Sequence, residues 1–148
     1  MSTYTQILYH IVFATKNRHR VLVQARREDL FRYVWGIVKN QNCHLYRIGG
    51  VEDHVHILSS LHSTVALADL IKTIKVASSL WIKEQQMFPG FEAWQEGYAA
   101  LTHSLDEKDR LIEYIKGQEE HHRVVSFLDE YRETLRAAGM ELDERYLP

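Results

Sequence analysis

The sequence predicts an α+β fold: a four-stranded antiparallel sheet in a βαββαβ order, with extra helices toward the C-terminal end. Two observations carry that prediction. Residues 4–14, 43–48 and 54–61 are rich in β-branched and aromatic residues with partial two-residue alternation, and 97–102 repeats the pattern more weakly. Two long stretches with apolar residues at helical spacing, 25–42 and 64–86, separate these runs. Breakers are few, with Pro at 2 and Gly at 7 of 148 residues. Strands and helices in this order define the ferredoxin-like split arrangement, with helices on one face of the sheet and the other face free for a ligand, a helix or a partner.

Each element has a local reason. Residues 4–14 combine Ile, Val, Tyr and Phe and read as a strand. Residues 15–24 form a basic loop carrying Lys16, Arg18, His19 and Arg20. Over 25–42, Leu30, Val34, Ile37 and Val38 fall on one helical face. The strands at 43–48 and 54–61 flank Gly49-Gly50, which reads as the turn of a hairpin. Over 64–86, Leu67, Leu70, Ile71, Ile74, Ala77 and Trp81 make an apolar stripe, with Lys72, Lys75 and Lys83 elsewhere on the helix. Pro89-Gly90 ends that region. Ser104 to Glu107 spells S-x-x-E, a capping box opening a helix through Ile112, Ile115 and Gln118 to about His122. A last helix covers 126–138 and stops at Gly139, before an acidic tail at 139–148. The whole chain, 1–148, reads as one domain.

Composition narrows the function. Hydrophobic residues at 45% and charged residues at 26% exclude a disordered chain. The single cysteine, Cys43, excludes an intramolecular disulfide and a Cys-rich zinc site. The apolar run from Ile7 to Ala14 is broken by His10 and lacks a basic lead, so neither a signal peptide nor a membrane span is expected. A cytoplasmic location is the default expectation. Net charge is only −2, but it is unevenly placed: residues 1–83 hold 11 Lys+Arg against 5 Asp+Glu, and residues 84–148 hold 7 against 15. The first part therefore suits phosphate. Its candidate contacts are Lys16, Arg18 and Arg20, with Arg26 and Arg27 close by, and Lys72, Lys75 and Lys83.

Two pairs of residues carry candidate chemistry. In His54-Val55-His56, strand alternation points both imidazoles to one side and Val55 and Ile57 to the other, so the imidazoles can share a divalent metal. Two polar residues on a solvated strand face would look the same. Tyr114 and Gln118 stand four apart on a helix and share a face. A tyrosine can attack a phosphodiester, and its phenol, with a pKa of about 10, needs a metal or a base nearby. A glutamine oxygen is a neutral metal ligand. Together, two histidines and an amide make a site with no anionic ligand, leaving the metal its full charge for a phosphate. Asp53 could orient one of the imidazoles, but a strand neighbour is expected to point away. His121, near the face of Gln118, is a substitute ligand or a surface histidine. Trp94 is expected in the core, with Tyr98 able to stack on a base.

With these residues in view, the chain resembles the single-tyrosine HUH transposases of IS200-like insertion sequences, including their REP-associated relatives. The resemblance runs from Tyr4 to Leu147. It is carried by the opening strand from Tyr9 to Arg18, by Asp53-His54-Val55-His56-Ile57-Leu58, by the helix around Ile74 to Ser79, by Trp94-Gln95-Glu96-Gly97-Tyr98, and by the stretch from Tyr114 through Gln118 to His122. It implies cutting and rejoining of single-stranded DNA at imperfect hairpins without ATP. Tyr114 would form a 5′-phosphotyrosine and release a 3′-hydroxyl, while His54, His56 and Gln118 hold Mg²⁺ or Mn²⁺. It also implies a homodimer joined at its sheet edges, with the tyrosine helix in cis or in trans. The chain departs from the family in its acidic end and in residues 99–103, which bears on the DNA end recognised. Two other readings stand beside this one: a domesticated module that grips structured DNA or RNA without cutting, and an unrelated metal hydrolase, which the lack of a suitably spaced carboxylate disfavours.

Overall fold

In the computed structural model, which describes residues 2–148, the strands are β1 (Leu8–Ala14), β2 (Leu45–Gly50), β3 (His54–Ser60) and β4 (Ala99–His103). The helices are α1 (Gln24–Asn40), α2 (Leu67–Gln85), α3 (Lys108–Lys116), α4 (Gln118–His121) and α5 (Phe127–Ala137). The sheet runs β2-β3-β1-β4 with every neighbouring pair antiparallel. This is the ferredoxin-like βαββαβ arrangement that the element order predicts, with α3, α4 and α5 added after β4.

Alternation along the two central strands divides the molecule into layers. Ile11 and Phe13 of β1 and Val55 and Ile57 of β3 face α1 and α2, where they pack with Leu30, Val34, Val38, Leu70, Ile71 and Ile74. These side chains are fully or almost fully buried, and each contributes about 1.5–3 kcal/mol in hydrophobic transfer free energy. The opposite set faces the C-terminal helices. Val12, Ala14 and Ala99 pack on Phe127 and Tyr131 of α5, and Leu8 and Leu58 pack on Leu111 and Ile115 of α3. The second face of the sheet is therefore roofed by the chain itself. His10 of β1 and His54 and His56 of β3 belong to this roofed face, and all three are buried.

Three local expectations are corrected. Residues 4–7 precede β1, which starts at Leu8. Gly49-Gly50 is the end of β2, and residues 51–53 make the turn. Gly49 is in the strand because α3 crosses directly above it: a Cβ there would stand 2.8 Å from both the carbonyl oxygen and Cγ2 of Ile115. A Cβ on Gly50 would collide with the carbonyl oxygen of His54. The helix expected from 104 to 122 is interrupted at Gly117, where α3 gives way to α4. The signals at its start and at the last helix hold: Glu107 Oε1 accepts from the Ser104 backbone N–H at 3.2 Å, and Gly139 adopts φ of 78° beyond α5.

One glycine serves neither a turn nor a close approach. Gly36 lies inside α1, and nothing stands within 4 Å of where its Cβ would be. Gly36→Ala is expected to stabilise the fold by about 0.5–1 kcal/mol, because alanine loses less backbone entropy in a helix. A urea midpoint that falls in this variant would contradict the open space seen there.

Candidate active site

β3 supplies the two imidazoles and α3–α4 supplies the phenol and the amide. His54 Nε2 lies 3.1 Å from Gln118 Oε1. The rings of His54 and His56 are 5.0 Å apart, and that of Tyr114 is 5.7 Å from His56. The four residues that the sequence singles out for chemistry thus meet in one place within one chain. Despite the break at Gly117, Tyr114 and Gln118 keep to one side, and Gln118 is buried.

At the centre of the cluster is a residue that sequence reasoning missed. Glu130 of α5 is buried, 4% exposed. Its Oε1 lies 3.1 Å from His56 Nε2, 3.1 Å from His122 Nε2 and 3.4 Å from His54 Nε2. Its Oε2 accepts from the Tyr114 hydroxyl and from Gln118 Nε2, the latter at 3.3 Å, and lies 3.1 Å from His121 Nε2. The expected site without an anion is therefore corrected: a carboxylate occupies it. The readable signal was Glu130 itself, three residues after Phe127 and next to Tyr131, on the apolar face of an amphipathic helix. His122 was missed as well.

Other groups orient the imidazoles. Asp53 Oδ1 lies 2.8 Å from His54 Nδ1, which corrects the expectation that Asp53 points away. Asp53 belongs to the turn before β3, so strand alternation does not govern it. His10 Nε2 is 2.8 Å from His56 Nδ1. The ring of Phe127 stacks on His54 at 4.2 Å.

Burial sets the protonation of these groups. Burial, with His56 and His103 adding to it, lowers the His10 pKa to about 3. Burial also lowers the His56 pKa, to about 4. Burial opposes charge on His54 too, but hydrogen bonds to Asp53 and Glu130 outweigh it and raise its pKa. Burial alone would raise the Glu130 pKa, yet hydrogen bonds to His122, His54 and His56 hold it well below the carboxylate range. Burial and the Glu130 carboxylate push the Tyr114 phenol upward, so it rests protonated.

The donor set fits a divalent metal. One donor atom from each of His54, His56, His122 and Glu130 lies within 4.8 Å of the others. Imidazole nitrogens with carboxylate and amide oxygens suit first-row divalent ions. A cavity of about 680 Å³ between β4, α3 and α5 reaches Tyr114, Glu130, His10 and His121.

The expected phosphate contacts divide into two groups. Lys16, Arg18 and Arg20 lie beyond the end of β1, which is paired with His54 through Ala14. Each is engaged: Lys16 with Glu92 at 3.5 Å, Arg20 with Glu52 at 3.2 Å, and Arg18 with the Pro148 carbonyl. Lys72, Lys75 and Lys83 are on α2, in the layer behind the sheet. Lys75 Nζ donates to the carbonyls of Gln95 and Gly97 at 2.8 and 2.7 Å, and burial lowers its pKa to about 8. Lys72 and Lys83 are exposed. Trp94 is a core residue, its Nε1 donating to Ser78 at 2.9 Å.

A split βαββαβ sheet that presents paired imidazoles from a central strand to a tyrosine-bearing helix fits the class that the sequence resembles, the IS200-like transposases. Comparison with known proteins narrows the class. The family described as IS200-like transposases matches residues 3–118, and the chain belongs to it. The transposase TnpA of ISDra2 from Deinococcus radiodurans is 28% identical over 118 residues, covering 76% of this chain and 84% of that one. A crystal structure assigned to a transposase of Deinococcus radiodurans superposes with a TM-score of 0.64 at 26% identity, covering 80% of this chain and 95% of that one. A REP-associated tyrosine transposase bound to a REP hairpin shares the fold, with a TM-score of 0.61 at 13% identity, covering 84% of this chain and 76% of that one. No helix among the described residues is long and apolar enough to cross a membrane.

Proposed function

We propose that this transposase cuts and rejoins single-stranded DNA at hairpin ends, with Tyr114 as the nucleophile. The observation that carries the reading is the convergence of the Tyr114 hydroxyl, the Gln118 amide and the imidazoles of His54 and His56 around a single carboxylate. His54, His56 and Gln118 would hold Mg²⁺ or Mn²⁺, which supplies positive charge to the scissile phosphate and to the oxyanion that develops on it.

The residues of the chain account for the remaining steps. The Tyr114 hydroxyl leaves Glu130 and gives up its proton to solvent as its oxygen bonds to phosphorus. The bond from phosphorus to the 3′-oxygen breaks, and that oxygen takes a proton from solvent. The product is a 5′-phosphotyrosine and a free 3′-hydroxyl. Attack by a 3′-hydroxyl on the same phosphorus reverses the exchange, so one phosphoester replaces another and no ATP is needed. The cavity beside Tyr114 has the volume of a small-molecule site and gives the strand its approach. Lys16, Arg18 and Arg20 would hold phosphates near His54, and Lys72 and Lys83 would contact a more distant part of the DNA.

A hairpin is the favoured form of DNA because a protein of the same fold carries one. One chain contributes the tyrosine, the amide and both histidines, which supports a cis site. The edge strands β2 and β4 offer pairing positions for a second copy in a homodimer. The test is incubation of the protein with labelled hairpin oligonucleotides and Mn²⁺, followed by a denaturing gel. A covalent protein–DNA band is expected. Salt-dependent binding with no band would favour the second reading, a non-cutting module for structured nucleic acid.

A further inference from the structure

We infer that Glu130 and His122 are metal ligands alongside His54, His56 and Gln118, so that the segment after Gln118 adds a third imidazole and a carboxylate to the site. This rests on the reading of the histidine pair as a metal site. It goes beyond that reading because both residues lie past residue 118, the last one matched by the family.

The tautomers give the first reason. His122 Nδ1 lies 2.7 Å from the carbonyl oxygen of Val125, which can only accept, so Nδ1 carries the hydrogen. His54 Nδ1 lies 2.8 Å from the Asp53 carboxylate and carries its hydrogen in the same way. In the neutral rings, both Nε2 atoms then present lone pairs. Both are aimed at Glu130 Oε1, which has only lone pairs to offer in return. His54 Nε2 faces a further oxygen, Gln118 Oε1. Lone pairs gathered in this way repel unless a positive charge, either a metal ion or a proton shared with the rings, sits among them. An imidazole whose outer N–H is fixed by a carboxylate or a backbone carbonyl is also the usual form of a metal-bound histidine.

The spacing gives the second reason. Donors each about 2.0–2.2 Å from one cation stand about 2.8–3.1 Å from their neighbours in octahedral geometry and about 3.3–3.6 Å in tetrahedral geometry. Glu130 Oε1 is 3.1, 3.1 and 3.4 Å from the Nε2 atoms of His56, His122 and His54.

The carboxylate is also oriented for the task. Its Oε2 receives the Tyr114 hydroxyl and the Gln118 amide and lies beside His121 Nε2. Oε1 is left to face the three imidazoles.

The test is calorimetric titration of the DNA-free full chain with Mn²⁺, comparing wild type with Glu130→Gln, His122→Ala and His54→Ala. Glu130→Gln and His122→Ala are each expected to weaken Mn²⁺ binding by at least about tenfold, the loss that follows even removal of an outer partner. Circular dichroism checks folding. Should Glu130→Gln fail to fold, His122→Ala keeps the question open to measurement, since His122 closes a helix of only four residues. The visible spectrum of bound Co²⁺ is expected to change in His122→Ala. Mn²⁺ affinity unchanged or improved in both variants overturns the inference and makes Glu130 a competitor of the metal. If His54→Ala alone abolishes binding, the inference fails while the histidine-pair reading stands. A wild-type chain that takes up no Mn²⁺ overturns both, with a shared proton then holding the cluster.

Discussion

Replacing Tyr114 with phenylalanine is expected to abolish covalent attachment to a labelled DNA hairpin while leaving hairpin binding and the fold intact. The substitution removes one oxygen and keeps the ring that stands edge-on to His56 and His10. The lost hydrogen bond to the Glu130 carboxylate costs about 1.5–3 kcal/mol of stability, and Oε2 keeps Gln118 Nε2 and His121 Nε2 beside it. The chemical cost is far larger. Removing an enzyme's nucleophile typically lowers turnover by about 10⁴–10⁶-fold, so no band is expected on the gel. Filter binding at several salt concentrations supplies the control, because contacts to phosphate are untouched by the change. An adduct that persists in Tyr114→Phe would place the nucleophile elsewhere and remove the basis of the proposed reaction.

What the sequence made legible was whatever depends on local periodicity. Alternation placed His54 and His56 on one face and Val55 and Ile57 on the other, and helical spacing put Tyr114 and Gln118 together. Element order led to the sheet topology. What it hid depends on where distant segments land. Glu130 meets the histidines only because α5 folds back over β3, with Phe127 against His54, and no short window of sequence contains that contact. Its one local trace is a carboxylate on the apolar face of a helix, which costs free energy unless partners await it. Asp53 belongs to the turn before β3, where the alternation that would point it away does not operate. Lys75 looks like a surface cation in sequence, yet its ammonium group caps two carbonyls of the loop before β4.

Gly49→Ala is expected both to destabilise the fold and to slow adduct formation, and the second effect tests how α3 is positioned. As a pair, Gly49-Gly50 looks like a hairpin turn, and glycine in a turn would be needed for its backbone freedom. Gly49 has no positive φ, so the constraint on it is one of space. A new Cβ would stand 2.8 Å from a side-chain methyl of Ile115 and 2.8 Å from its backbone oxygen. The methyl can rotate away, but the carbonyl is part of α3 and moves only with the helix. Overpacking of this kind costs about 1–3 kcal/mol, a fall in Tm of about 2–4 °C per kcal/mol for a chain of this size. Ile115 follows Tyr114 directly, so a helix that lifts from β2 carries the phenol with it and tilts Gln118 away from His54. Misplacing a reacting group by about 1 Å costs roughly a hundredfold in rate. Gly49→Ala is therefore expected to slow the adduct by about tenfold to a hundredfold at temperatures where the protein is still folded. Hairpin affinity, set by contacts elsewhere, is expected to change little. A variant that loses stability but forms adduct at the wild-type rate would show that the tyrosine helix finds its place without β2 beneath it.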